Sequence, residues 1–337
     1  MMEAVLSNAD HPEYGVATIP LPIPRNQYDH CVSLLEALEI GDAVKADCKV
    51  EKIDSFYTVL KRTEMLTVNV EELNYLAKRL DSFDTGEAAQ FQAMAHKLEL
   101  FELKDLINLT FCCQQATVIT DFSDLAAVGR DHYMNLHGGS ASVDELNALD
   151  GEKTARRLIE NGGGTITPYG VVYDNGMKLE QVYDGRFFPC YYYEPNAITV
   201  AVTSKAEPED TEHITWLFLP MVQEEIDRAL LRGGITDPSE IRLSLEDSWL
   251  PHEVLDLLDM DHVDISELNA LVQALDEFSD MSIRKYAAAA VMARPHTTEQ
   301  AKHLAENLDL FDFAPSASTP EEYGKYMIQK PGRFDYD

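Results

Sequence analysis

A stretch of 75 residues, from Ala206 to Asp280, places the strongest constraint on how this chain can fold. It contains twenty carboxylates and three arginines, so its net charge is −17, more than half of the −32 carried by all 337 residues. Apolar residues nevertheless recur through it at helical spacing, as in Ile226, Ala229 and Leu230. Disordered acidic segments lack such apolar stripes. We therefore expect this stretch to fold and to hold its carboxylates at fixed surface positions.

The composition of the whole chain excludes several classes of protein. A net charge of −32 repels nucleic acid and anionic membranes and attracts basic surfaces. No apolar run approaches the roughly 18 residues of a membrane span, and the first ten residues lack the pattern of a signal peptide. Five cysteines without a C-x-x-C motif indicate reduced, buried thiols. We expect a soluble, cytoplasmic protein.

Periodicity along the chain predicts an α+β fold with small α/β and helical domains. Strand patterns occur near the start, helical patterns run from 70 to 109, and Asn175-Gly176 between two apolar alternations predicts a hairpin with strands at 165–172 and 178–183. The expected segments are an α/β domain (1–64), a helical domain (65–110), a third domain with a hairpin (111–203), a linker (204–212), a second α/β domain (213–260) and a second helical domain with a truncated end (261–337).

The second half of the chain repeats the first in sequence. Residues 70–83 and 265–278 are identical at seven of fourteen positions. Landmarks outside the helix follow in the same order, because Pro22 corresponds to Pro220 and Asp54-Ser55-Phe56 corresponds to Asp247-Ser248-Trp249. The separation is far longer than the period of a solenoid, which is about 20 to 50 residues. The pattern predicts a tandem duplication with a shortened second copy.

The chain resembles the ArdA-type antirestriction proteins of plasmids and conjugative transposons. The resemblance rests on the order of five motifs: Trp216-x-x-Leu219-Pro220, Glu224-Glu225, Gly234-Ile235, Glu246-Asp247 and Ile265-x-Glu-Leu-Asn269. The first half shows the same order with Ala17 in place of the tryptophan. The resemblance implies an elongated, modular α+β protein without catalytic activity or cofactor. Such a protein mimics bent DNA and occupies the DNA-binding groove of type I restriction–modification enzymes.

A mimic of DNA has to present carboxylates densely on a rigid backbone. Duplex DNA carries one charge per about 1.7 Å of its axis. Glu253, Asp256 and Asp259 follow Pro251 at a spacing that predicts one side of a single helix. The candidate partner-binding carboxylates are Asp54, Glu72, Asp81, Glu224, Glu225, Glu246, Asp247, Glu253, Asp256, Asp259, Asp261, Asp264, Glu267, Asp276, Glu277 and Asp280. Each one alone is explained as well by helix capping or a solvated face, but the ensemble is not.

Two other classes of function stay open. An acidic scaffold for another basic protein needs the same charge, and a hydrolase with metal-binding carboxylates needs only some of these residues. Asp259-x-Asp261-x-x-Asp264 does not match a calcium loop, because Asp264 stands where that loop needs glycine. The ten histidines form no H-E-x-x-H motif. We predict no metal, a restriction–modification enzyme as partner, and a monomer, with a homodimer as the alternative.

Overall fold

The computed structural model describes residues 2–206, 212–256, 258–317 and 319–329. The chain forms two compact units, one of Met1–Tyr193 with Asp227–Gly233 and one of Glu194–Ile226 with Gly234–Asp337. Helices and small antiparallel sheets make up both units, so the fold class is α+β, as the sequence predicted. Within these described residues, every helix is too short or too polar to cross a membrane.

The first unit contains two separate antiparallel sheets. Its strands are β1 (Met2–Asn8), β2 (Val16–Leu21), β3 (Cys48–Asp54), β4 (Thr67–Val68), β5 (Thr117–Ile119), β6 (Thr165–Thr167) and β7 (Gly170–Tyr173). One sheet has the order β2-β1-β3-β4 and the other has the order β5-β7-β6. Ala17, Ile19 and Leu21 of β2 are buried at alternate positions, so one face of the first sheet packs on the core.

The helices of the first unit pack beside these sheets. They are α1 (Tyr28–Glu36), α2 (Val70–Asp81), α3 (Thr85–Lys97), α4 (Leu103–Leu109), α5 (Leu125–Leu136), α6 (Val143–Ala148) and α7 (Gly151–Asn161). The side chain of Asn69 caps α2 by accepting a hydrogen bond from the N–H of Glu72. Leu73, Leu76 and Leu80 are buried, which explains the helical period of this segment.

The Asn175-Gly176 turn is present, but it does not close the predicted hairpin. The hairpin of this region is formed by β6 and β7, and residues 178–183 are not a strand. Asn108 of α4 accepts a hydrogen bond from the N–H of Tyr183 at 2.7 Å and donates one to its carbonyl at 3.0 Å. A side-chain amide therefore satisfies the backbone groups that a neighbouring strand would otherwise bind.

The second unit is built on one antiparallel sheet. Its strands are β8 (Ile198–Ser204), β9 (Thr215–Leu219) and β10 (Ile241–Ser248), in the order β10-β8-β9. The helices that follow β8 are α8 (Gln223–Arg232), α9 (His252–Leu255), α10 (Ile265–Asp276), α11 (Asp280–Ala293), α12 (Thr298–Glu306) and α13 (Pro320–Gln329). α8 begins in the second unit, and its residues from Asp227 onward belong to the first.

The sheets of both units agree in register at one end of the strand pairing. Glu3 of β1 lies opposite Asp54 of β3, and Thr199 of β8 lies opposite Asp247 of β10. Each of these two pairings contains one register shift. The sequence landmarks Asp54 and Asp247 therefore occupy the same place in the two sheets.

The connection from sheet to helix is also the same in both units. β2 and β9 each end at a leucine followed by a cis proline. Asn74 of α2 then accepts a hydrogen bond from the N–H of Ile23 at 2.8 Å, and Asn269 of α10 accepts one from the N–H of Met221 at 2.9 Å. A buried asparagine thus fixes the chain at the equivalent point of each unit.

The second unit begins earlier in the sequence than we expected. The sequence places β8 at the end of the third domain and a linker at 204–212, but β8 pairs with β9 and β10, so the unit starts at Glu194. β1 and β8 share an apolar alternation but little identity, so the repeat was visible only from the prolines onward. Residues 207–211 of the expected linker lie outside the described part of the chain.

Candidate functional site

Two of the three arginines of the acidic stretch are buried in the folded chain. All three lie within the described residues, and Arg228 and Arg232 are only 8% and 4% exposed, whereas Arg242 is exposed. Arg228 contacts Glu71 at 2.6 Å and donates to the carbonyl of Gly41 at 2.7 Å. Burial alone would lower the pKa of Arg228, but Glu71 and Tyr28 together outweigh burial and raise it, so the guanidinium stays charged.

Arg232 is enclosed by acceptors of the first unit. Its guanidinium donates to the carbonyls of Ala43 and Arg186 at 3.0 and 2.8 Å and to the side chain of Asn69 at 3.0 Å. The hydroxyl of Tyr183 also accepts from it, and the ring of Phe188 lies 4.3 Å below its central carbon. Both buried guanidinium groups are therefore engaged by acceptors of the first unit.

Most of the predicted carboxylates of the second unit are exposed. The exposed ones are Glu246, Asp247, Asp256, Asp259, Asp261, Asp264, Glu267, Asp276, Glu277 and Asp280. Glu253 is half-buried and lies 3.4 Å from His252. Glu224 and Glu225 are half-buried in the first turn of α8, where the positive end of the helix dipole stabilises acidic residues.

The carboxylates after Pro251 do not form the single helical row that their spacing predicts. α9 contains only four residues, and Asp256 lies at its C-cap. The carboxylate of Asp259 accepts a hydrogen bond from the N–H of Asp261 and lies 2.8 Å from the ring of His262. An aspartate bound to nearby backbone favours a turn over a helix. The predicted row is therefore wrong, although Asp256, Asp259 and Asp261 are exposed.

The other carboxylates of the second unit lie at the ends of its elements. Asp264 caps α10 by accepting from the N–H groups of Ser266 and Glu267. Glu267 also accepts a hydrogen bond from Thr298 at 2.6 Å. Three further acids, Asp276, Glu277 and Asp280, flank the turn between α10 and α11. Glu246 lies at the register shift in β10, immediately before Asp247.

The three candidates of the first unit have different environments. Asp54 ends β3 and is exposed, with the ammonium of Lys52 at 3.8 Å. Asp81 is exposed at the end of α2 and accepts a hydrogen bond from Tyr193 at 2.8 Å. The side chain of Glu72 is only 16% exposed, and it accepts from Tyr183 at 2.7 Å and lies 3.5 Å from Arg232. Glu72 therefore serves as an internal counterion.

Sequence reasoning missed two features of this surface. The first is the burial of Arg228 and Arg232, whose acceptors lie between 46 and 189 residues away along the chain and left no local signal. The second is a pair of exposed aromatic side chains, Phe56 at 68% and Trp249 at 48%. Both directly follow an Asp-Ser pair, so the repeat itself contained the signal.

Among the residues that the structure describes, no three His, Cys, Asp or Glu side chains are grouped closely enough to hold a metal ion. No family model, curated protein or solved structure matches the chain.

Proposed function

We propose that this protein is an acidic DNA mimic of the ArdA antirestriction type, without catalytic activity, that occupies the DNA-binding groove of type I restriction–modification enzymes. The observation that carries the proposal is that Arg228 and Arg232 are buried against acceptors of the first unit, whereas ten of the predicted carboxylates of the second unit are exposed. A mimic needs negative charge that its own basic residues do not cancel, because its target binds DNA by pairing Lys and Arg with phosphates. The order of motifs shared with the ArdA type supports the choice of target.

The repeated architecture supports the same proposal. We infer that the two units arose by tandem duplication, because they share a register at one end of the strand pairing, a buried asparagine and a sequence repeat. Restriction–modification cores with two-fold symmetry grip DNA from both sides, and two linked units would supply both halves of a mimic. We propose a cytoplasmic monomer, and light scattering that gives twice the 37.9 kDa chain mass would contradict it.

The primary test is the plating efficiency of unmodified phage on a host with a type I restriction system. Expression of the protein should raise the plating efficiency toward that of a non-restricting host. A pull-down from the same host should recover the methyltransferase core. Recovery of a different basic protein, with no change in plating, would instead favour a scaffold function.

A charge variant tests the surface directly. Changing Asp256, Asp259, Asp261 and Asp264 together to Asn should clearly impair inhibition, whereas Asp256→Asn alone should have little effect. Asn retains the shape of each side chain and still caps a helix at position 264. A complete loss of inhibition from the single change would point to a catalytic or metal site.

A matched control neutralises four exposed acids of the first unit that are not candidates. Changing Asp29 and Asp144 to Asn and Glu36 and Glu99 to Gln removes the same charge from exposed positions. This variant should keep most of the inhibition.

Binding of the unaltered protein to its target should weaken steeply between low and high salt, because charges are screened beyond about 8 Å at 0.15 M.

A further inference from the structure

A cavity of about 210 Å³ opens in the first unit between the sheet and the junction of α2 with α3. Its floor is apolar and includes Met2, Leu21 and Leu80, all of which are buried. Its rim carries Phe56, Asp81 and Asp84, and the described residues that line it include no basic side chain. The cavity therefore combines an apolar floor, an aromatic ring and two carboxylates.

Phe56 is the most exposed aromatic residue of this cavity. Its ring is 68% exposed and lies edge-on to Tyr57 with the ring centres 5.5 Å apart. The turn is fixed locally, because the hydroxyl of Ser55 accepts a hydrogen bond from the N–H of Tyr57 and the Tyr57 hydroxyl donates to the carbonyl of Leu80. A large apolar ring held at the mouth of a cavity favours contact with a ligand.

The two carboxylates of the rim are also held in place. Asp84 caps α3 in a reciprocal arrangement with Glu87, and Asp81 accepts a hydrogen bond from Tyr193 at 2.8 Å. A carboxylate has about four acceptor sites, so the capping contacts of Asp84 leave capacity for a ligand. The pKa of Tyr57 is raised to about 12 by burial and then by the charges of Asp81 and Glu87, which indicates a negative potential at the cavity.

We propose that this cavity binds an arginine side chain of a basic partner protein, with the guanidinium over Phe56 and within hydrogen-bond reach of Asp81 and Asp84. Guanidinium is planar, stacks on aromatic rings and matches carboxylates with paired donors, whereas an ammonium offers only a compact charge. The proposal deepens the proposed function, since proteins that bind DNA contact phosphates through arginine.

The second unit repeats the aromatic ring, the serine turn and one carboxylate at equivalent positions, whereas Ser279 stands at the position of Asp84. Trp249 is 48% exposed and follows Asp247-Ser248 as Phe56 follows Asp54-Ser55. The hydroxyl of Ser248 accepts from the N–H of Leu250 at 3.0 Å, as Ser55 does from Tyr57. Asp276 ends α10 as Asp81 ends α2. An exposed aromatic ring after the same turn in both units is an independent reason to assign it a binding role.

The test is a titration of the isotope-labelled full chain with N-acetyl-argininamide, followed by the amide resonances of Ser55–Tyr57 and Asp81–Thr85. These resonances should shift to saturation with a dissociation constant on the order of 1 mM, as is usual for one small group. The lysine analogue should bind more weakly, and the citrulline analogue, which is neutral and nearly isosteric, should not bind. Equal binding of all three, or no saturation, would overturn the proposal.

Variants locate the site. Phe56→Ala should weaken binding of the arginine probe about two- to fivefold, the loss expected for one exposed cation–π contact. Asp81→Asn should weaken binding of the same probe more than Phe56→Ala does. Phe101→Ala is the matched control, because Phe101 is also exposed in the first unit, at 45%, and does not line the cavity. An equal loss in Phe101→Ala would refute the location. Unchanged amide shifts away from the cavity would establish that each variant is folded.

The phage assay separates this proposal from the proposed function. If the probe binds at the cavity but the protein does not relieve restriction, the cavity stands and the antirestriction proposal fails. If the protein relieves restriction but the probe shifts no cavity resonance, the antirestriction proposal stands and the cavity proposal fails. If both hold, Phe56→Ala should reduce relief of restriction, and Phe101→Ala should not.

Discussion

Truncating Arg232 should strongly destabilise the first unit. Arg232→Ala removes donors from the carbonyls of Ala43 and Arg186 and from Asn69, and it leaves the Glu72 carboxylate without its buried counterion. Removing one partner of a buried ion pair costs about 3–5 kcal/mol, because the other charge stays desolvated. Arg232→Lys should recover only part of this, since three rotatable donors cannot replace a planar fork of five.

The assay is hydrogen exchange of the two units, read by mass spectrometry under native conditions. Peptides around Asn69 and Tyr183 should exchange faster by a factor that corresponds to about 3–5 kcal/mol, whereas peptides of β8–β10 should change little. Arg62→Ala controls for the loss of a positive charge, because Arg62 is exposed in the same unit. A change of less than about 0.5 kcal/mol, the size expected at a surface site, would refute the assigned role of Arg232.

Three further changes test other parts of the fold. Gly129→Ala should destabilise the packing of α5 by about 1–3 kcal/mol or more, because its methyl group would lie 1.8 Å from the carbonyl of Gly151. Gly324→Ala, which has open space around it inside α13, should not lower the melting temperature. Asn269→Ala should cost about 1–3 kcal/mol in urea unfolding, since it leaves buried backbone groups unpaired. Burial lowers the pKa of His132 in the folded chain, so below the unfolded pKa of about 6.5 the unfolded state binds more protons than the folded state. The free energy of unfolding should therefore fall as the pH drops through that range. His132→Asn should remove this part of the pH dependence, measured as urea midpoints at pH 7 and 5.

The helices with clear periodicity and a cap could be predicted from the sequence. α2 and α10 each begin after a capping residue, Asn69 or Asp264, and each buries leucines at helical spacing. Their shared pattern also made the repeat visible. The strands were harder to place, because β1 and β8 share only an apolar alternation and the pairing of a strand depends on distant residues.

Most candidate carboxylates of the second unit are exposed, as the sequence predicted, but their arrangement differs from the predicted one. Spacing alone predicted one helix after Pro251, whereas the local hydrogen bonds of Asp259 produce a turn. Glu72 has the same residue type as its neighbours in the candidate set, yet it is buried beside Arg232. The residue type gives the charge of a side chain, but only its tertiary contacts show whether the charged group is exposed to solvent.

Arg228 pairs with Glu71 and Arg232 pairs with Glu72, and this pairing affects how much negative charge the surface carries. The net charge of the chain would be the same if both arginines lay among the exposed carboxylates, but they would then neutralise acids within the screening distance of about 8 Å. They instead offset two carboxylates that are themselves only 15% and 16% exposed. The exposed acids thus keep their mutual repulsion, which costs stability. Under the proposed function, the partner supplies the positive charge that compensates this repulsion.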